Sequence, residues 1–347
     1  MDSELNHSPA RPIKAVSLLS GGLDSILATR VVQDQGVEVL ALHFISPFFG
    51  YEKKGREEEV AAFYQETYGI RMRVVDVSDE YLTMLARPRY GYGKNFNPCV
   101  DCKIFLVRKA LEILQAEGAS FLITGEVLGQ RPMSQRRDTL NAIARDTGTR
   151  GILLRPLSAR LLPPTAPEER GWVDRGRLYG FSGRGRHDQM ALAAELGITE
   201  YPTPAGGCRL TDPCLGARVR RYYEDTPAEG RNAADVRVLL TGRPFRFPEG
   251  SLFSLGRGEH ENAAVAGLAR EGDERVFAAD VPGPLGLFRP RGSGDERPLA
   301  AAVLLRYCPK ARPETRVVFE PSGGGPVREL EAVAATDEDI ALGAWRL

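Results

Sequence analysis

A chain of 347 residues, with 42% hydrophobic and 27% charged side chains, is long enough for two domains and apolar enough to bury a core, which excludes a globally disordered protein. Basic and acidic side chains number 46 each and cancel, so any affinity for nucleic acid must come from local clusters of arginine and lysine. The opening MDSELNHSPARPIK lacks the apolar core of a signal peptide, and no run approaches the roughly 20 apolar residues of a membrane span; a cytoplasmic protein with no membrane partner is expected.

KAVSLL (14–19) reads as a buried strand that stops at Ser20-Gly21-Gly22, and an amphipathic helix follows from Asp24 to about Gln35, with Gly36 as its stop. VEVLALHF (37–44) is a second strand, 55–68 a helix, and RMRVVDV (71–77) a third strand. Residues 103–116 have helical spacing up to Gly118, FLITG (121–125) is a fourth strand, and a helix at 135–146 with a strand at 152–154 completes the series. Strand alternating with helix predicts an α/β fold, a doubly wound parallel sheet whose ligands bind beyond the carboxyl ends of the strands. The loops 20–25, 45–54, 77–80 and 125–134 should then share one rim. A less regular stretch follows, with a helix near 187–196 that His187 is expected to cap. From about 230 the pattern changes to shorter predicted strands: DVRVLLTG, SLFSLG, ERVFAAD and one at 301–307. The expected domains are 1–160, an extension 161–229, and a smaller α+β domain 230–347.

Ser20-Gly21-Gly22-Leu23-Asp24-Ser25 lies between a strand and a helix. Glycines let a backbone approach phosphate oxygens, the helix start supplies a positive dipole end, and the two serines can donate. Asp24 would repel a phosphate, so it is expected to hold Mg²⁺ or to fix the loop. The string is neither a Walker A loop nor a Rossmann fingerprint. It resembles the PP-loop of the adenine-nucleotide α-hydrolase-like superfamily, whose members split ATP between the α and β phosphates and transfer AMP to a carbonyl oxygen. The resemblance implies that Ser20, Gly21, Gly22, Asp24 and Ser25 hold pyrophosphate, and that His43 and the segment Thr124-Gly125 approach the nucleotide.

The five cysteines carry the second signal. Cys99 and Cys102 form a C-x-x-C in a polar, Pro-containing segment, NPCVDCK, taken as a loop ahead of the helix, where a dipole should lower thiol pKa values. Cys208 follows in PAGGCRLTD, with Cys214 six residues later. Cys308 ends the apolar run AAVLLRYC and reads as a core residue. A four-cysteine zinc site remains an alternative. The layout is similar to the tRNA 2-thiouridylases and thiouridine synthetases of the same superfamily, on which Cys102 and Cys208 match the paired catalytic cysteines. Those enzymes commonly have Asp at the position of Cys99. A cysteine there resembles the iron–sulfur-dependent thiolases, implying a 4Fe-4S cluster on Cys99, Cys102 and Cys208.

What the resemblance implies is an ATP-dependent tRNA sulfurtransferase that adenylates a uridine carbonyl oxygen and replaces it with sulfur, partnered by tRNA and a sulfur donor (sulfide or a persulfide carrier). A PP-loop enzyme acting on a non-tRNA acceptor, and an RNA-binding protein with structural zinc, are the alternatives. Arginine-biased stretches at 131–150, 155–160 and 205–221 suit RNA phosphates. LGRGEHENAAVAGLA and DVPGPLGLF resemble the NFACT RNA-binding module, implying Arg257, Asn262 and Arg289 as RNA contacts.

Overall fold

A computed structural model describes residues 12–201, 208–313, 315–342 and 346–347. The chain divides into two compact units, Met1–Cys208 and Arg209–Leu347.

The first unit runs β1 (Lys14–Leu18), α1 (Leu23–Gln33), β2 (Glu38–Ile45), α2 (Glu57–Tyr68), β3 (Met72–Asp76), α3 (Ser78–Ala86), α4 (Cys99–Ala116), β4 (Phe121–Thr124), α5 (Arg137–Asp146) and β5 (Leu153–Leu154), then the short α6 (Ala166–Glu169) and α7 (His187–Glu195). The strands form one parallel sheet in the order β3-β2-β1-β4-β5. Period-two alternation explains why it is covered twice. Ala15, Ala41, Phe121 and Ile123 pack with Ile26, Val31 and Leu192 from α1 and α7. Their neighbours Val16, Leu42 and Leu122 pack with Ile104, Val107 and Ile143 from α4 and α5. The doubly wound sheet expected from the sequence is therefore present. Strand order reverses at β1, whose Leu18 is in register with Leu42 and with Thr124. The carboxyl ends on either side of β1 are the switch point at which such sheets bind ligands.

The structure corrects three local expectations. The segment 77–80 is not a loop; it begins α3. The helix predicted at 103 begins at Cys99, so both cysteines lie in its first turn rather than ahead of it. Arg186, not His187, is the N-cap of α7.

The second unit runs α8 (Pro213–Asp225), α9 (Ala233–Leu239), β6 (Arg243–Arg246), β7 (Leu252–Leu255), α10 (Glu259–Ala266), β8 (Glu274–Ala278), β9 (Gly286–Arg289), α11 (Arg297–Arg306), β10 (Arg316–Pro321), β11 (Arg328–Glu331) and α12 (Asp337–Leu342). Its antiparallel sheet has the order β11-β10-β8-β9-β7-β6. A layer of Phe245, Phe253, Phe288 and Phe319 is covered by Ala300, Ala301, Val303 and Leu304 of α11.

Two predicted strands here are helices. DVRVLLTG falls largely in α9, because Asn232 caps it, its side chain accepting from the Asp235 amide at 2.9 Å. The run at 301–307 falls in α11, where Pro298 pre-sets the first turn and alanine and leucine favour helix. Short apolar runs do not separate strand from helix by periodicity alone. Among the described residues no helix is long and apolar enough to cross a membrane.

Candidate functional site

The turn after β1 is built around two glycines. Gly21 takes φ +85°, and a Cβ there would stand 3.0 Å from the Tyr64 hydroxyl. Gly22 opens α1 with no side-chain cap, so no side chain takes the first amides of the helix, although Ser25 N donates to the Gly22 carbonyl at 3.0 Å. Ser20 Oγ donates to Ser25 Oγ at 3.2 Å, and Ser25 Oγ donates to the Gly22 carbonyl at 2.7 Å, which fixes the turn from within. Asp24 Oδ2 accepts from Gln130 Nε2 at 3.1 Å, while its Oδ1 is buried without a hydrogen-bond partner. A carboxylate oxygen left so beside a helix start suits a bound cation.

Gly125, just past β4, touches this turn. A Cβ there would meet Ser25 N at 2.5 Å and Asp24 C and O at 2.6 Å. Only a glycine lets the end of β4 lie against the loop. The next residue, Glu126, is buried and satisfied on one side. Its Oε2 accepts from Arg155 Nε at 2.9 Å and from Thr124 Oγ1 at 3.2 Å, and Lys103 Nζ lies 3.9 Å from Oε1. Burial alone would raise the Glu126 pKa, but the Arg155 and Lys103 charges outweigh it and hold the carboxyl below its usual range. Arg155 is thus a buried ion-pair partner (7% exposed), which removes it from the surface patch expected at 155–160.

Lys103 follows the second cysteine of the C-x-x-C. At the start of α4, Asp101 accepts the backbone amides of Arg89 and Tyr90, both at 2.9 Å, and so pins the preceding loop to the helix. Asn97 Nδ2 donates to Cys99 Sγ at 3.2 Å. Tyr81 of α3 is fully buried among Phe48, Phe49 and Phe105. Its hydroxyl finds no partner at full hydrogen-bond geometry; Cys102 approaches it too loosely for a strict bond. The phenol is pushed well above its ordinary pKa, first by burial, then by the charges of Cys102, Cys208 and Cys99. Cys102, Cys208 and Cys99 are thus each near enough to influence this phenol.

The expectation of a lowered thiol pKa is overturned at Cys102. Burial pushes it up, and contact with Tyr81 and the nearby Lys103 charge do not compensate. As for a metal group, the donor set is right in kind, since three thiols are what a cluster with one open iron needs. Among the described residues, though, no three His, Cys, Asp or Glu side chains stand in metal-holding geometry. Residues 202–207, with the Gly206-Gly207 singled out from the sequence, lie outside the described residues.

His43 lies two residues before the end of β2, beside the glycine turn. Its Cε1 would lie 3.5 Å from a Cβ on Gly21, and its Nε2 2.9 Å from one on Gly50. Burial, helped by the Lys53 charge, lowers its pKa from 6.5 to about 4. The ring is neutral at neutral pH, so it brings no positive charge to a phosphate.

In the second unit, Arg289 is buried and paired with Asp273 (2.7 Å) and Asp235 (3.0 Å), and Asn262 Oδ1 accepts from the Leu285 amide at 3.1 Å. Arg289 is buried and holds the fold, while Asn262 is half-buried and ties α10 to the Leu285 backbone. Arg257 is exposed. Sequence reasoning missed Tyr81 and the pairing of Glu126 with Lys103 and Arg155. Tyr81 was signalled by Ser78-Asp79-Glu80 before Tyr81, Leu82 and Leu85, a helix start followed by an apolar face.

Residues 12–160 match the family described as "Thiamine biosynthesis protein (ThiI)", and residues 242–346 match "NFACT protein RNA binding domain". A protein of Methanothermobacter thermautotrophicus described as "Probable tRNA sulfurtransferase" is 34% identical over 119 residues, covering 34% of this chain and 30% of that protein. The chain thus spans about a third of the length of the curated relatives it matches. A 4-thiouridine synthetase–RNA complex with bound ATP is 22% identical with a TM-score of 0.35, covering 65% of this chain and 52% of that chain. The U34-tRNA thiolase NcsA from Methanococcus maripaludis, with its [4Fe-4S] cluster, is 17% identical with a TM-score of 0.31, covering 66% of this chain and 81% of that chain. At this level of likeness neither structure bears on the activity of this chain.

Proposed function

We propose, for a chain that joins a ThiI-family domain to an NFACT-type RNA-binding domain, that it is an ATP-dependent tRNA sulfurtransferase working in the cytoplasm. A uridine carbonyl oxygen attacks the α-phosphorus of ATP and pyrophosphate leaves. Hydrosulfide then adds to the adenylated carbon, the C–O bond breaks, and AMP departs with the former carbonyl oxygen. No electrons change hands when the donor is sulfide.

The observation that carries this reading is one strand end serving two places. Gly125 packs on the turn that would hold pyrophosphate, and Glu126 reaches Lys103 beside Cys102, whose thiol approaches Tyr81. In this reading Ser20, Gly21, Gly22 and Ser25 hold the phosphates by backbone and hydroxyl donors, and the unpartnered Asp24 Oδ1 holds Mg²⁺. His43, Thr124 and Gly125 line the nucleotide. Cys102 and Cys208 act at the sulfur step, and Cys99, Cys102 and Cys208 hold a 4Fe-4S cluster, with zinc as the alternative. When bound, such a cluster supplies an open iron able to carry hydrosulfide.

Pyrophosphate release separates the acceptors. With ATP and Mg²⁺, release is expected to require tRNA. Equal release without tRNA, or release driven by a small carboxylate, would contradict a tRNA acceptor. No release under any condition would leave only an RNA-binding protein.

A further inference from the structure

We propose that the RNA grip of the second unit begins before the NFACT-type module, at a cluster of Arg209, Arg218, Arg257 and Arg346 around the C-terminal end of α9 that takes backbone phosphates of RNA. The inference rests on the proposal that the chain binds tRNA. It adds where the phosphates are held, and two of the four residues precede the matched stretch 242–346.

The geometry comes from three side chains reaching one short stretch of backbone. Arg218 Nη1 donates to the Leu239 carbonyl at 3.4 Å, Arg209 Nη1 to Leu240 at 3.3 Å, and Arg257 Nη2 to Gly242 at 3.4 Å. Arg221 of the same helix, α8, donates to the Arg346 carbonyl at 3.3 Å, which brings the chain end to this face. Arg209, Arg257 and Arg346 are exposed and Arg218 is half-buried.

The simpler explanation is that these arginines only cap α9. Its C-terminal dipole is worth roughly half a negative charge, which balances one guanidinium in part and leaves the rest. Among the described residues, two carboxylates bear on the cluster. Glu261 lies 3.7 Å from Arg257, and Asp212 spends its Oδ1 on the Leu215 amide at the start of α8. The crowding is felt at Arg218, whose pKa is lowered by burial first and then by Arg257 and Arg346, against the opposing influence of Cys214 and Asp212. Guanidinium groups gathered in this way, each with donors beyond the one given to a carbonyl, match phosphate oxygens in charge and in fork geometry. A phosphate relieves their mutual repulsion, whereas a neutral partner does not. Arg289, the other arginine of the matched module that the sequence suggested besides Arg257, is already held by two carboxylates.

The test is binding of fluorescent tRNA to the full chain by anisotropy over a range of salt. Each lost phosphate contact lowers the salt slope by about 0.7 to 0.9. The double variant R218Q/R257Q is therefore expected to bind at least about tenfold more weakly at low salt and to lose about 1.4 to 1.8 from the slope. Arg316→Gln, exposed on β10 and paired with Asp280 and Glu329, removes a charge elsewhere on the same unit and is expected to change little. If the double variant melts early, the exposed single variants Arg209→Gln and Arg346→Gln replace it, each expected to lose about one unit of slope. Unchanged affinity and slope in these variants, with wild-type binding intact, would overturn the cluster and leave RNA binding standing. An equal loss in Arg316→Gln would overturn it too, reducing the effect to net charge. A wild type that ignores tRNA, or prefers phosphatidylserine vesicles to it in competition, would overturn both the cluster and the RNA reading.

Discussion

Cys208→Ala is expected to cut sulfur incorporation into tRNA by roughly a hundredfold or more, at least about 2.7 kcal/mol of barrier, while tRNA-dependent pyrophosphate release survives. The two halves of the reaction would use different groups. The glycine turn, Ser25 and Asp24 make their contacts with one another, with Gln130 and with the backbone of Gly125. Cys208 is instead felt electrostatically at Tyr81, as Cys99 and Cys102 are. Removing its sulfur should leave the adenylation apparatus whole and strand the activated base. Cys308→Ala is the matched control. That thiol is buried in the second unit, donating to the Pro282 carbonyl at 3.4 Å, so its loss should lower stability slightly and leave thiolation alone. Quantifying pyrophosphate and thiolated nucleoside in one reaction checks the separation. If both fall together in Cys208→Ala, the sulfur would belong to nucleotide binding, and the division of labour fails.

Glu126→Ala should produce the largest loss of stability in the first unit, about 3–5 kcal/mol, because it leaves Arg155 buried without its carboxylate. Replacing both partners, as in Glu126→Leu with Arg155→Met, should recover much of that loss, since a well-packed apolar pair needs no desolvated charge. Activity should not return, because the tie to Lys103 beside Cys102 is gone. The pH dependence has a fixed sign. The folded Glu126 pKa lies below its unfolded value, so the contribution is complete above the ordinary glutamate range and is lost as pH falls through the folded value. Thermal melting from pH 7 down to pH 3 should show the wild type losing stability faster than the Leu/Met double variant. Parallel curves would mean that Glu126 contributes no such linkage.

Legibility differed with the range of the interaction involved. The first five strands and the helices around them except α3 were readable because apolar runs alternated with amphipathic ones, and the glycine turn was readable because it sits in six consecutive residues. The second unit was read less well: α9 and α11 carry β-branched or continuous apolar runs whose helical state is decided by Asn232 and Pro298 at their starts. At the site, the grouping of Cys99, Cys102 and Cys208 was an expectation carried by resemblance, and the described residues show no metal-holding geometry for it. Tyr81 and the buried partnership of Glu126 with Arg155 were not anticipated, because contacts between residues far apart in sequence, 29 apart for Glu126 and Arg155, leave no local pattern. Arg289 misled for the same reason. An arginine in a polar stretch reads as surface until Asp235 and Asp273 are seen around it.

The most direct test is mass spectrometry of nucleosides from unmodified tRNA incubated anaerobically with the full chain, ATP, Mg²⁺ and sulfide, with AMP measured in the same samples. A thiouridine that appears only with ATP, in step with AMP, is the predicted result. AMP accumulating over tRNA whose uridines stay unthiolated, or sulfur entering tRNA without ATP, would contradict it.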